Sequence, residues 1–570
     1  MRVRKGSLAA MLLVMLAPAV RGAEPAMKAP ELGDIVPEGM LRQRAELSAQ
    51  RLQHAYYQWP SISKVNFSPF PGDAIGRNIL GLTLLARTCR QDAPANLQEI
   101  MKRLGELECP DGYLGPPLPA GRANEDVLAA HNGYLRGLCE YYLWTKDAAT
   151  LRRIERVRDN LLVPARGAIA QYRAEGDARP TIKWHLSGGD IGQLFLVLDG
   201  ATQAYAVAPS PEFKEMLDAM IGRYQRLELI KISAQTHAML SAANGIVRWY
   251  ERHGNPEHLK FAVTLYDQYR RLATTETFEN YNWFNRPEWT EACAVVDSFL
   301  LTTNLWRLTG RTEYLEDAHH ILYNALLPGQ RANGGFGTNK CVGAKGQVML
   351  TVGQSPEAPF CCSMRGAEGL ARAVQFGYFV KQDKIVLAFF AASTATLRFA
   401  DGECRIRQDT KYPHDGYVRL EVLESSVVSE KQFEFFVPSW AAPESVAFTV
   451  GGKAVAPGRE GAFAQLALKP VPGSVIDYRF RQRAGAADLQ FPERMPGHHC
   501  YHHGSLLLGR AAEKPVSLSR SAKLVVGNGA RYRDADSEVE LAPLLDLMAP
   551  PTPAKSVQML FVEPPSTRNP

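Results

Sequence analysis

The spacing of apolar residues changes once along this chain, and the change limits what it can fold into. From about Pro37 to Gly377, apolar residues recur every three or four positions, the period of an amphipathic helix. Arg77–Thr88, Val127–Leu143, Ile191–Val207, Met239–Arg252, Phe261–Leu272 and Val295–Leu308 all follow this pattern. Leu315, Ala318, Leu322 and Ala325 continue it beyond the break at Thr309-Gly310-Arg311. After Phe376 the period becomes two: Ile385–Phe390, Val418-Leu420-Val422, Phe433-Phe435-Val437 and Val446-Phe448-Val450 predict strands. Val557–Val562 predicts another, and Asp401-Gly402, Asp415-Gly416 and Gly451-Gly452 supply turns. Short linkers such as Thr145-Lys146-Asp147 and His253-Gly254-Asn255-Pro256 separate the helices. About a dozen helices joined this way predict a ring of antiparallel pairs. The expected architecture is mostly α then β: an (α/α)6-type helical barrel over residues 23–380, then one or two β-sandwich domains over 381–570. No strict short repeat is present, which argues against a solenoid.

A chain of 570 residues is too long for a single core. Its 46% hydrophobic and 22% charged residues fit a globular protein. The net charge of +6 is spread along the chain without a basic run, so no nucleic-acid partner is predicted. Residues 1–22 read as a secretory signal peptide. Arg2, Arg4 and Lys5 precede an apolar run from Leu8 to Ala17, and Val20-Arg21-Gly22 offers a cleavage site before Ala23. That run is too short to span a membrane, and no later stretch is long and apolar enough. The expectation is an exported, soluble protein, periplasmic or extracellular, and the lack of a cysteine after the cleavage site argues against a lipoprotein. The sequence does not fix an oligomeric state.

Nine cysteines follow: an odd number, which leaves at least one unpaired in an oxidising compartment, and too sparse for a disulfide scaffold. Cys361 and Cys362 are adjacent, and neighbouring cysteines rarely bridge each other without strain. Two soft ligands side by side suit a thiophilic metal. With Glu291 and Cys293 upstream they could fill a tetrahedral zinc site, although no CxxC or HExxH pattern supports this and ordinary buried cysteines would read the same way. The cluster from His498 to His503 also invites a metal reading, but adjacent residues of a strand alternate faces, so at most two of its histidines could point one way.

Several segments, in order, carry a family resemblance. Pro110-Asp111-Gly112-Tyr113-Leu114, Glu291-Ala292-Cys293-Ala294, Leu322-Tyr323-Asn324-Ala325-Leu326-Leu327 and Cys361-Cys362 lie in the helical part. Tyr412-Pro413-His414-Asp415-Gly416 and Val437-Pro438-Ser439-Trp440-Ala441 lie in the β part. Over roughly residues 40 to 560 the chain resembles the β-L-arabinofuranosidase-type glycoside hydrolases of family 127. The resemblance implies a retaining glycosidase acting on a glycan, with zinc held by Glu291, Cys293, Cys361 and Cys362 and with Cys361 as nucleophile. The helix expected over Ser363–Val374 would set both cysteines near its N-terminus, which favours a thiolate. The family's acid/base glutamate falls on Glu276, with Glu279 as rival, because the spacing to Glu291 is one residue short. His131 and His237 match the family's sugar-binding histidines by position. Phe278, Tyr281, Trp283, Phe284 and Trp289 could rim a sugar pocket or simply pack in the core.

The chain also departs from the family pattern. Gly188-Gly189-Asp190-Ile191-Gly192-Gln193 lacks a histidine found in many members, Pro359 stands near the place of a third cysteine, and Asn339-Lys340-Cys341-Val342 is atypical. These changes bear on the identity of the sugar more than on the reaction. The expected substrate is a glycan ending in β-L-arabinofuranose or a related small sugar. The alternatives are a carboxylate-only glycosidase or lyase of the same fold, and a zinc-stabilised carbohydrate-binding protein without catalysis.

Overall fold

The computed structural model describes residues 27–65, 70–119, 123–170 and 193–565. The signal-like residues 1–22 and the departure at Gly188–Gly192 lie outside them. The helical part is a closed ring. Six inner helices follow one another around it: α1 (Asp73–Thr88), α2 (Glu125–Thr145), α3 (Val197–Val207), α4 (Thr236–His253), α5 (Ala292–Thr309) and α6 (Cys362–Gln375), with α6 packing back on α1. Gly39–Arg51, Ala95–Arg103, Ala148–Val157, Pro211–Tyr224, Pro256–Ala273 and Thr312–Ile321 lie outside the ring. This is an (α/α)6 barrel.

Inner and outer helices differ in sequence because they differ in burial. α5 is buried over nearly its whole length, whereas Ala148–Val157 buries only Thr150, Ile154 and Val157, one stripe. Local chemistry sets the ends. Asn124, Asp147, Ser210 and Asn255 cap helix N-termini through their side chains, and Gly254 and Gly310 close α4 and α5 in the left-handed conformation. α1 and α2 approach so closely that a Cβ on Gly76 would lie 2.2 Å from the backbone nitrogen of Tyr134. Only glycine fits at that crossing.

The β part begins with a sandwich. A seven-stranded sheet runs in the order Ile35–Pro37, Ser393–Phe399, Gly402–Thr410, Tyr417–Ser425, Val475–Arg479, Ala447–Val450, Lys453–Val455. A five-stranded sheet of Gly458–Glu460, Phe463–Leu468, Lys431–Phe436, Lys384–Leu387 and Phe379–Lys381 faces it. Phe435 of one sheet meets Phe448 and Tyr478 of the other at 5.3 and 5.6 Å between ring centroids. A third sheet holds His498–His503, Leu506–Ala511 and the strands that follow.

The chain does not divide cleanly near residue 380. Ile35–Pro37 adds an edge strand to the sandwich, and Met349–Thr351 pairs with Ser556–Gln558 of the third sheet. The expected strand Ile385–Phe390 stops at Leu387, and Val557–Val562 is split between Ser556–Gln558 and Phe561–Val562.

The sequence segments singled out above join these layers. Asn324 accepts from the backbone N–H of Leu507 (2.8 Å) and donates to the carbonyl of Ser505 (2.8 Å), which docks the third sheet on the barrel. Tyr412 bonds His319 (3.0 Å) and Ser505 (3.3 Å). The Pro110–Leu114 turn is tied to α2 by the Leu114 N–H donating to His131 Nε2 (3.2 Å).

Candidate metal centre and active site

The N-terminal ends of the inner helices bring the predicted ligands together. Glu291 is the N-cap of α5, and Cys293 lies in its first turn. Cys361 is the N-cap of α6, and Cys362 is its first residue. One ligand atom from each of Glu291, Cys293, Cys361 and Cys362 lies within 4.8 Å of the other three. Among the described residues this is the one such group, and the histidines of 498–503 form none.

The sulfur separations test the fit to zinc. Cys293 Sγ and Cys362 Sγ are 3.8 Å apart, and Cys361 Sγ and Cys362 Sγ are 3.5 Å apart. A tetrahedron with Zn–S bonds of about 2.3 Å has an S···S edge of about 3.8 Å. Three thiols and one carboxylate are also a donor set that zinc accepts, so the residues fit the ion. The protons make the same point. Hydrogen bonds from Cys293 and Cys361 pull the Cys362 thiol well below its ordinary value. Cys361 is pushed up by the reciprocal bonds, and Cys293 is pushed up to about 11 by burial. Three thiols in contact cannot all ionise unless a cation joins them.

Glu276 and Glu279 sit on one tight turn in which Phe278 has a left-handed φ of 63°. The carboxylate of Glu276 turns to the β part and accepts the backbone N–H groups of Gln490 (2.8 Å) and Phe491 (3.2 Å). Gly343 gives it room, since a Cβ there would lie 2.3 Å from Glu276 Cγ. The carboxylate of Glu279 accepts from Thr277 (3.0 Å), Thr290 (3.2 Å) and Asn339 (2.8 Å), and Thr290 precedes Glu291. Burial pushes both carboxyls above the ordinary glutamate value, while these donors pull them back.

The two histidines do not present a nitrogen to a ligand. His131 is fully buried; Nδ1 bonds the Val127 carbonyl (2.6 Å), Nε2 bonds Leu114 N–H, and burial pushes its pKa down to about 4. His237 bonds Asp297 Oδ2 through Nδ1 (2.6 Å) and faces Arg77 Nη2 through Nε2 (3.3 Å). His131 ties the Leu114 turn to α2, and His237 links α4 to α5 and α1. The aromatic group divides too. Phe278 stacks on His320 at 4.5 Å, and Tyr281 and Phe284 are buried. Trp283 and Trp289, partly exposed, meet edge to face at 5.0 Å.

Three residues near the cysteines escaped the sequence reading. Arg77, in the first turns of α1, donates to Cys293 Sγ (3.5 Å) and to Asp73 (2.7 Å). Burial alone would lower its pKa; Asp73, Cys293 and Cys361 together hold it well above the ordinary value. Phe360, half exposed, directly precedes Cys361. Tyr56 lies near enough for Cys361 to act on it, although burial is the larger cause of its raised pKa. The available signal was the Asp73/Arg77 pair, four residues apart at the start of a largely apolar helix. A polar cavity of about 230 Å³ lies at the other end of the barrel, lined by Arg136, Asp199, Arg248, Glu251 and Arg372.

Comparison with known proteins agrees with this geometry. Residues 235–375 match the model of the β-L-arabinofuranosidase GH127 catalytic domain, and residues 384–481 match that of the GH127 middle domain. The fold is similar to that of a solved GH127 β-arabinofuranosidase (12% identity, 95% of this chain and 98% of that one, TM-score 0.73). It is also similar to a solved glycoside hydrolase (14%, 95% and 98%, 0.71). A third similar structure is a GH127 β-L-arabinofuranosidase from Geobacillus stearothermophilus T6 (13%, 93% and 100%, 0.71). At these identities the structures speak for the fold alone. No curated protein sequence matches the chain. The two domain matches, in chain order on an (α/α)6 barrel and a β-sandwich, support the assignment of this chain to glycoside hydrolase family 127.

Proposed function

We propose that this glycoside hydrolase is an exported, retaining enzyme that releases β-L-arabinofuranose, or a related small sugar, from the end of a glycan. The observation that carries the reading is the convergence of Glu291, Cys293, Cys361 and Cys362 at the N-terminal ends of α5 and α6. Zinc, when bound there, supplies the charge that keeps the thiols ionised and held in place. Cys361 Sγ, beside the positive end of α6, attacks the anomeric carbon and forms a thioglycosyl enzyme. Glu276 protonates the departing glycosidic oxygen, then takes a proton from the water that hydrolyses the thioglycoside. Two displacements return the original anomeric configuration. The position of Cys361 on the rim, with Phe360 exposed beside it, supports its choice over the buried Cys362 and Cys293.

A second assignment of the acid has an observation in its favour. Glu279 bonds Thr290, next to Glu291, whereas Glu276 turns to the β part and bonds Gln490 and Phe491. In that reading Glu279 is the acid and Glu276 fastens the β part to the barrel.

A panel of aryl glycosides with the zinc-loaded protein tests the reading. Turnover of an aryl β-L-arabinofuranoside with retention in the first-formed product, seen by proton NMR, is the expected result. A furanose electrophile should add its mass to Cys361. An inverted product with an unlabelled Cys361 would rule out the thiolate mechanism. Absence of stoichiometric metal from active protein would rule out the metal centre.

A further inference from the structure

We propose that Arg77 is the buried counter-cation of the metal–thiolate centre, and that the Asp73 carboxylate and the His237–Asp297 pair are there to aim it. The inference rests on the metal reading above. Three thiolates and one carboxylate around a divalent ion carry two formal negative charges, and all four ligand residues are at least partly buried. A charge of that size without compensation is costly away from water.

Arg77 is almost fully buried and supplies compensation at the right place. Its three guanidinium nitrogens are each committed: Nη1 to Cys293 Sγ at 3.5 Å, Nε to Asp73 Oδ1 at 2.7 Å, and Nη2 to His237 Nε2 at 3.3 Å. Because Arg77 donates to Nε2, the ring proton of His237 sits on Nδ1 and donates to Asp297 Oδ2 at 2.6 Å. Asp297 is fixed in turn by Ser241 at 2.7 Å, the carbonyl side of its backbone by Asn244 at 3.1 Å, and by an ion pair with Arg365. The chain of contacts thus runs from α6 through α5 and α4 to α1 and ends on the sulfur of a metal ligand. Such outer partners orient ligands and tune the metal. A lysine could keep the charge but could not reach all three partners from one ammonium. This gives His237 a positioning role and explains why neither of its nitrogens is open to a sugar.

The test compares the full-length wild type with Arg77→Gln, Arg77→Lys and Asp73→Asn. Zinc affinity is measured by competition with a chromogenic chelator, and the cobalt(II) form is read by its thiolate-to-metal charge-transfer band. Arg77→Gln is expected to bind zinc about 10–100-fold more weakly, the usual range for loss of an outer-shell partner. Its charge-transfer band should move to lower energy, since a sulfur without its N–H donor releases electron density more readily. Arg77→Lys should fall between wild type and Arg77→Gln, and Asp73→Asn should shift both readouts slightly in the same direction. Wild-type affinity and an unmoved band in folded Arg77→Gln would overturn the proposal. Should Arg77→Gln fail to fold, an unmoved band and affinity in Asp73→Asn would overturn it instead. A wild-type protein that binds neither zinc nor cobalt would overturn the metal reading and this inference together, an outcome distinct from the other two.

Discussion

Replacing each buried glutamate of the 276–279 turn by glutamine separates the acid from the fastener, because the two sites respond differently to an amide. The Glu276 oxygens face two backbone donors, the N–H groups of Gln490 and Phe491. A glutamine there must set its NH2 against one of them, leaving a buried donor unsatisfied at a cost of about 1–3 kcal/mol. The Glu279 oxygens face Thr277 and Thr290 hydroxyls and the Asn339 amide. A hydroxyl can turn to accept, so Glu279→Gln fits with both ends bonded. Glu276→Gln is therefore expected to lower the thermal midpoint, and Glu279→Gln is expected to leave it unchanged near neutral pH or to raise it. Activity is read as kcat/KM, which reports the first covalent step. If Glu276 is the acid, Glu276→Gln lowers kcat/KM on a natural glycan by about 10²–10⁴-fold. It should do little on an aryl furanoside whose leaving group needs no proton. Glu279→Gln then stays within a few-fold of wild type on both substrates. If Glu279→Gln instead loses the glycan activity while Glu276→Gln keeps it at a lowered midpoint, Glu276 is only the fastener and its role as the acid is refuted.

Cys361→Ser should abolish turnover of every glycoside, activated or not, while the folded protein survives; measurable turnover with retention would argue against a Cys361 nucleophile. Gly76→Ala places a methyl 2.2 Å from the Tyr134 backbone nitrogen, which cannot give way, so the midpoint should fall by the equivalent of about 1–3 kcal/mol in denaturant titration. The pH dependence of stability carries its own sign: Glu279 has a folded pKa raised from the ordinary 4.5, chiefly by burial, so its contribution is fully present below about that pH and is lost as pH rises through the folded value. The midpoint of Glu279→Gln minus that of wild type should therefore grow as pH rises from about 4.5, and a flat difference would count against the raised value.

The period of the apolar residues made the barrel and the sandwich legible, because helices packed on one face and strands packed in a sandwich each repeat their burial. The cluster that could hold a metal was legible for a related reason: Cys361-Cys362 and Glu291/Cys293 are each local in sequence. What could not be read was anything that depends on two distant segments meeting. Ile35–Pro37 looks like an ordinary start to a helical region, yet it completes a sheet whose next strand begins at Ser393. His131 and His237 lie on the inner helices, but only the fold shows that Leu114, Arg77 and Asp297 have taken their nitrogens. Glu276 and Glu279 are three residues apart, and only the fold shows that one faces Gln490 and the other Asn339. In sequence Arg77 looks like any other helical arginine, and only the fold sets Cys293 beside it.

The ring itself explains why the cluster of Glu291 and the three cysteines lies at one end of the barrel. Arg77 in the first turns of α1 reaches His237 and Cys293 in the first turns of α4 and α5, and Arg87 near the end of α1 reaches Glu140 near the end of α2. The inner helices therefore run the same way, and their dipoles add: the positive ends gather at the cysteines, and the negative ends gather at the other rim. Thiolates and a carboxylate are favoured at the first rim before any metal is considered. At the second rim the chain places Arg87, Arg248, Arg307 and Arg372, paired to Glu140, Asp199 and Glu251. Between the two rims the axis is bridged by ion pairs linking Asp297, Arg365, Glu368, Arg136 and Asp199, all buried. Without Arg365 and its partners, Asp297 would lack a cation, and the His237 that it orients would hold Arg77 less firmly. The polar interior thus links the barrel wall, through Asp297, His237 and Arg77, to Cys293.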